Sequence, residues 1–299
     1  MATTDTAVTD SRLSAEPNPD AAISLRGVRK AFDGKVVLDD MNLDVMHGET
    51  MVIMGGSGSG KSTTLRLMIG SFPATAGQIV ILGRDIGRAG EKQLNDVRKQ
   101  CGILFQSGAL FNSMSIADNV ALPLREHTEL DEEIIDIQVK IKLELVGLRE
   151  HADKLPSQIS GGMKKRAGLA RALSLDPKIL FYDEPSAGLD PVTSAQIDQL
   201  IVALSKQLGV TSVVVTHEMD SAFTIADRMA MLDKGRILRV ETRQWYETLR
   251  DQSVEEASGR PESARLIRQF LRGDSQGPIT ARRAASAIEA DLYGPDTAP

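Results

Sequence analysis

The chain is poor in several things that would have pointed elsewhere. One cysteine, Cys101, in 299 residues leaves no internal disulfide to form, which suits a reducing compartment. With no histidine of obvious purpose near it, Cys101 reads as a core residue. The formal net charge of -6 argues against a general nucleic-acid binder, whose footprint is usually basic, so no nucleic-acid partner is expected. No apolar run approaches the roughly 18 residues of a membrane-spanning helix. The N-terminal stretch MATTDTAVTDSRLSAEPNPDAA has neither the basic start nor the apolar centre of a signal peptide. A soluble, cytoplasmic chain is expected. Aromatic residues make up 4%, which makes an aromatic at a strand end, Phe32, worth noting. On local sequence alone Phe32 is a half-exposed strand residue covering core.

What is present centres on Met51-Val-Ile-Met-Gly-Gly-Ser-Gly-Ser-Gly-Lys-Ser-Thr63. It reads as a short apolar strand, a glycine-rich turn and a helix beginning near Lys61. Gly55, Gly60, Lys61 and Ser62 fit the phosphate-loop pattern G-x-x-x-x-G-K-[ST]. A polyphosphate needs donors converging from one side. Gly55, Gly56, Gly58 and Gly60, interleaved with Ser57 and Ser59, let backbone N–H groups approach it. The helix beginning at Lys61, Ser62 and Thr63 turns its free N–H groups toward the anion. Lys61 adds a full charge, worth about 4 kcal/mol at about 4 Å and an effective dielectric near 20. Ser62 can offer its hydroxyl to Mg²⁺, a hard ion. Average residue usage would produce the bare pattern by chance in roughly one chain in a hundred of this length; the flanking strand and helix make chance rarer still.

Around that loop the chain divides. Residues 1–22 are rich in Thr, Asp, Ala and Pro and are expected to be disordered. From Ile23 come successive short strands, with turns at Asp33-Gly34 and His47-Gly48, the region being 23–240. Residues 107–158 look mainly helical; within them Ile134, Ile137, Ile141 and Leu145 recur at three- and four-residue steps. Strands alternating with helices after the phosphate loop predict a mostly parallel sheet covered on both faces, an α/β fold. Residues 241–299 form an extension with an amphipathic helix at Glu262–Arg272, stopped by Gly273, and a further weak helical stretch over Thr280–Leu292. That amphipathic helix either packs on its own domain or docks on a partner.

Hydrolysis needs more than a phosphate grip. Asp183 and Glu184 end the apolar run Ile179–Tyr182, where the edge of a parallel sheet meets its ligand. Asp183 is the expected Mg²⁺ partner and Glu184 the expected general base. Alone, such a pair is a solvated turn. His217 ends Val-Val-Val-Thr-His and could sense the γ-phosphate, although a lone histidine is more often structural. Gln106 follows another strand and could touch the metal or the water. Ser160-Gly161-Gly162 is a second small-residue loop feeding a helix, hence a second anion site. One nucleotide has one γ-phosphate, so this second loop is read as serving a nucleotide held by another copy.

Taken together, Gly55–Ser62, Gln106, Ser160-Gly161-Gly162, Asp183-Glu184, Ala187-Gly188-Leu189-Asp190 and His217 resemble the ATP-binding-cassette ATPases over roughly 23–240. The resemblance implies a P-loop ATPase fold with a RecA-like core, an antiparallel β subdomain and an inserted helical subdomain meeting a membrane partner. It also implies ATP and Mg²⁺ as ligands, and a nucleotide-sandwich dimer closed by Ser160, Gly161 and Gly162. It gives Phe32 an adenine-stacking role and Asp190 a place in the dimer's communicating loop. Met163 stands where most members have Gln, and Ile159 where Leu is commoner; neither removes backbone donors. Phe105-Gln-Ser-Gly-Ala-Leu-Phe111, Asp118–Thr128, Ser160-Gly-Gly-Met-Lys-Lys-Arg166 and Arg268-Gln-Phe-Leu271 resemble the ATPase subunits of Mla-type lipid transporters. That implies a permease, an MCE-domain protein and a small STAS-domain protein as partners, and a peripheral place on the cytoplasmic face of the inner membrane. The alternatives are an importer ATPase for amino acids or metals, and a soluble ATPase of translation or DNA repair. The latter carry two cassettes or a long coiled coil, and neither is present. Lys164-Lys165-Arg166 reads equally as a solvated face or as charge complementing a nucleotide or partner.

Overall fold

The computed structural model describes residues 16–280. In chain order, β1 (Ala21–Phe32), β2 (Lys35–Met46) and β3 (Thr50–Met54) precede α1 (Lys61–Met68). Then come β4 (Ala76–Ile81), β5 (Arg84–Asp85), α2 (Glu91–Arg98) and β6 (Cys101–Leu104). Two helices, α3 (Ile116–His127) and α4 (Glu132–Leu145), are followed by α5 (Gly161–Ala172), β7 (Ile179–Asp183) and α6 (Pro191–Leu208). The series continues with β8 (Thr211–Thr216), α7 (Met219–Ile225), β9 (Arg228–Asp233) and β10 (Arg236–Thr242). Last are α8 (Arg243–Asp251), α9 (Val254–Ser258) and α10 (Glu262–Arg272). The chain separates into two compact units, one reaching Val240 and one beginning at Glu241.

Two sheets organise the first unit, in the orders β2-β1-β4-β5 and β10-β9-β3-β8-β7-β6. β1 runs antiparallel to β2 and β4, whereas β3 runs parallel to β8 and β9, and β7 parallel to β6 and β8. The α/β expectation holds. β3 and β8 are buried at every position, so Met-Val-Ile-Met and Val-Val-Val read as unbroken apolar runs rather than alternation. A common core joins both sheets through α1, with Leu25, Leu43, Ile53, Leu65, Phe181 and Val215 all buried. Each such side chain contributes about 1.5–3 kcal/mol on burial.

Local geometry departs from the sequence expectation in two places, the start of β1 and the buried face of α4. Val36–Leu38 and Met41–Val45 both lie in β2. Asp40, at φ 50, lies within it where the register with β1 shifts, between the pairs Val28–Met41 and Lys30–Leu38. Asp33 and Gly34 both have positive φ, and Phe32 pairs with Lys35, so they make the two-residue hairpin loop that a right-twisted pair prefers. Order starts earlier than residue 23: β1 opens at Ala21, and the Asn18 backbone N–H donates to Ser24 Oγ at 3.1 Å. On α4 the apolar stripe Ile134, Ile137 and Ile141 faces outward, at 42%, 51% and 48% exposure, while Ile135, Val139 and Leu143 are buried. Both sets have helical spacing, and packing against α3 and α5 selects the second.

In the second unit α10 packs on α8 and α9, burying Leu266, Ile267 and Leu271, and Gly273 caps it at φ 67. Gln269 ties the following segment down, accepting from Ile279 N at 2.7 Å and donating to the Asp274 carbonyl at 3.1 Å. The weak helical stretch read over 280–292 lies, beyond Thr280, outside the described residues. Among the described residues no helix is long and apolar enough to cross a membrane.

Candidate functional site

Parallel register brings the site together. Met54 is level with Thr216, and Asp183 with Val215, so Gly55, His217 and Glu184 emerge side by side at one edge of the sheet. Leu104 pairs with Tyr182, so the exposed Gln106 follows from the adjacent strand, two residues past its end.

The loop after β3 is built for close approach. A Cβ at Gly55 would stand 2.1 Å from the Leu232 carbonyl oxygen, so no side chain fits there. Gly58 differs from Gly55 in its reason for being glycine. It is exposed, with open space where a Cβ would stand, so crowding does not select glycine there. Its φ of 74 does, as does the φ of 108 with which Gly60 opens α1; both lie in the left-handed region. Ser57 is exposed beside Gly58, and Gly56 is half-buried. Lys61 is buried and reaches back over the loop, donating to the Gly55 and Gly56 carbonyls at 2.8 and 3.1 Å. Burial lowers the Lys61 pKa, against the opposing pull of Glu184 and Asp183. Ser59 Oγ is buried with no partner among the described residues, a polar atom left over inside the cradle.

Ser62 Oγ donates to Asp183 Oδ1 at 3.4 Å. Burial raises the Asp183 pKa, as does the neighbouring Glu184 charge; Ser62, Arg66 and Lys165 work the other way. Among the described residues no three His, Cys, Asp or Glu side chains cluster as a metal cage. A carboxylate and a hydroxyl, completed by phosphate oxygens and water, suit the hard, partly hydrated Mg²⁺ instead. The residues fit that ion.

Glu184 has φ 50, unusual for a residue with a side chain and a mark of a constrained site. Its backbone N–H donates to the Val215 carbonyl at 2.9 Å. Its carboxylate is held at both oxygens by one residue: Oε1 lies 2.9 Å from His217 Nδ1, and Oε2 accepts from the His217 backbone N–H at 3.3 Å.

Other expected residues lie apart from this cluster. Ser160 caps α5, its Oγ accepting from Met163 N at 3.3 Å, and Gly161 beside it is exposed. Gly162 packs so tightly on α6 that a Cβ would meet Thr193 Cγ2 at 2.4 Å. Among the described residues no hydrogen bond joins Ser160, Gly161 or Gly162 to the loop at Gly55–Ser62. Asp190 caps α6, accepting from Thr193 Oγ1 at 2.6 Å and from the Val192 and Thr193 backbone; these bonds, the Thr193 hydroxyl first, lower its pKa. Phe32 stands at the end of β1, edge-on to Phe72 at 5.4 Å, with Lys30 Nζ 4.7 Å from its ring centre. Sequence reasoning missed Lys30 and Phe72; the scarcity of aromatics was the available signal. Cys101 is half-buried, and burial pushes its thiol up to about 12, which leaves it inert as a nucleophile.

Known proteins resemble this chain over most of its length. The family model described as ABC transporter matches residues 38–187. The chain is 43% identical to the "Probable ribonucleotide transport ATP-binding protein mkl" of Mycobacterium leprae, over 91% of this chain and 77% of that one. It is 40% identical to the "Intermembrane phospholipid transport system ATP-binding protein MlaF" of Escherichia coli strain K12, over 90% and 96%. Among solved structures, the dimeric cassette MJ0796 in a post-hydrolysis state with ADP and Pi matches at a TM-score of 0.68 and 31% identity, covering 74% of this chain and 98% of that one. The cassette cbiO1 of Clostridium perfringens matches at 0.72 and 28%, covering 83% and 99%. The chain belongs to the ABC transporter family, as a nucleotide-binding cassette that hydrolyses ATP.

Proposed function

We propose that this ATPase powers phospholipid transport through a membrane permease working with an MCE-domain protein. The observation that carries the chemistry is the convergence of the Gly55–Ser62 loop, Asp183, Glu184 and His217 on one sheet edge. Backbone N–H groups of Gly55–Thr63, those around the exposed Gly58 included, and the α1 terminus cradle the phosphates, and Lys61 neutralises their charge. Phe32, backed by Phe72 and Lys30, offers the adenine a face. Ser62, Asp183 and Gln106 would hold Mg²⁺, which supplies charge neutralisation at the β- and γ-phosphates when bound. Glu184 takes the proton of the water that attacks the γ-phosphorus, giving ADP and phosphate. His217, bonded to both carboxylate oxygens, fixes its aim.

Ser160, Gly161 and Gly162 leave their outward end free for the nucleotide of a second copy, and the dimeric state of MJ0796 supports such a sandwich. The helical region of 107–158 would meet the permease, placing the chain peripherally at the cytoplasmic face of the inner membrane. A STAS-domain partner follows from the same likeness to Mla-type systems.

The lipid cargo rests on the phospholipid-system relative, which this chain matches over 96% of its length. A ribonucleotide cargo is the competing reading, drawn from the name of the Mycobacterium leprae relative. Purifying the chain with its native permease and placing that complex in lipid vesicles separates them. ATP-dependent movement of labelled phospholipid supports the proposal. Movement of ribonucleotides without lipid overturns it.

A further inference from the structure

Three consecutive cations, Lys164-Lys165-Arg166, cannot all face water on one helix, because successive residues turn by about 100°. Lys164 and Arg166 stay half-exposed, Arg166 donating to Gln196 Oε1 at 2.8 Å. Lys165 turns inward. It is 5% exposed, and its Nζ donates to the Glu184 carbonyl at 3.0 Å. A buried ammonium needs a reason to be there. Three carboxylates supply the compensating charge, in the order Glu184, Glu218 and Asp183, although burial still lowers the Lys165 pKa.

The bonded carbonyl belongs to the residue that most needs holding. Glu184 sits in the left-handed region, and the following Pro185 restricts it further. Its N–H is anchored on β8 through Val215, and its side chain by His217. Its carbonyl takes the Ala187 N–H at 3.2 Å from its own turn and Lys165 from α5. Lys165 therefore ties the Glu184 peptide to the helix whose first residues are Gly161 and Gly162. A general base must keep its aim at the attacking water, and small displacements of such a group are costly in rate.

We infer that Lys165 is a positioning residue for hydrolysis: its bond to the Glu184 carbonyl holds the carboxylate in line from the helix that Ser160 caps. The inference rests on the reading of Glu184 as the base. It predicts a loss in turnover that leaves nucleotide capture intact.

The test is steady-state ATPase and fluorescent-ATP binding on the full chain carrying Lys165→Met, with Lys165→Gln and Glu184→Gln alongside. Lys165→Met should lower kcat by about 10- to 100-fold while KM and ATP affinity stay within about 3-fold. Lys165→Gln keeps an N–H donor without the charge and should recover most of that loss. If the Met variant does not fold, Lys165→Ala is judged by the same criteria. Wild-type kcat in the Lys165 variants beside an inactive Glu184→Gln overturns this inference alone, and so does a kcat loss matched by an equal loss of ATP affinity. Wild-type turnover in Glu184→Gln would instead remove the base on which the inference stands.

Discussion

Asp44→Ala would expose how the antiparallel sheet is held. The Arg26 guanidinium, 6% exposed, donates to both Asp44 oxygens at 2.8 Å, and Ser24 Oγ donates to the same carboxylate at 2.7 Å. Removing one partner of a buried pair costs about 3–5 kcal/mol because the other charge stays behind. Here Arg26 keeps two acceptors, the Glu16 carbonyl at 2.9 Å and the Leu25 carbonyl at 2.8 Å. The loss should therefore fall at the lower end, about 3 kcal/mol. For a unit of this size that is a fall in Tm of roughly 6–12 °C. Thermal unfolding of wild type and Asp44→Ala measures it, and Arg26→Met with Asp44→Ala closes a double-mutant cycle. The double variant should be more stable than Asp44→Ala alone. An Asp44→Ala chain within about 1 °C of wild type, where a surface pair would leave it, would refute the reasoning.

Phe32→Ala should weaken ATP binding by about 1–3 kcal/mol, roughly 5- to 150-fold in Kd, while Phe32→Tyr stays near wild type; titration with a fluorescent ATP analogue reads both. Asp198 is buried and accepts from Ser221 Oγ at 2.7 Å through Oδ2. Its Oδ1 has no partner among the described residues, and its pKa is raised chiefly by burial. A raised carboxyl pKa means the folded state binds more protons, so stability falls as pH rises from the unfolded value near 3.9 through the higher folded value. Denaturant titrations across that window should show Asp198→Asn gaining on wild type as pH rises; parallel pH profiles would contradict this.

The phosphate loop was legible because its chemistry is local: glycines, a lysine and a serine at fixed spacing between a strand and a helix. The α/β fold was legible for a similar reason, since β3 and β8 are short runs of apolar residues bounded by turns. What needed coordinates was decided between elements. Gly55 and Gly58 look alike in sequence, yet the neighbouring β9 carbonyl excludes a side chain at the first and only backbone conformation disfavours one at the second. α4 carries two apolar stripes of equal periodicity, and contact with α3 and α5 determines which is inside. Lys165 and its neighbours are indistinguishable in sequence, and the packing of α5 on β6 turns one of them toward Glu184. Asp190 and Thr193 make a helix cap whose bonds show only once α6 begins. Lys30 and Phe72 lie 42 residues apart in sequence yet meet at Phe32, where Lys30 Nζ stands 4.8 Å from the Phe72 ring centre.

Glu184 is the proposed base of this ATPase, and the phosphate grip, the Gly55–Ser62 loop, is separate from it. Glu184→Gln keeps the side-chain shape but removes the proton acceptor, so the most direct measurement is single-turnover ATP hydrolysis by that variant beside ATP binding. With Glu184 as the base, the variant should bind ATP with near wild-type affinity and hydrolyse it about 10²- to 10⁴-fold more slowly. Hydrolysis at the wild-type rate would contradict that role and move the base to another residue.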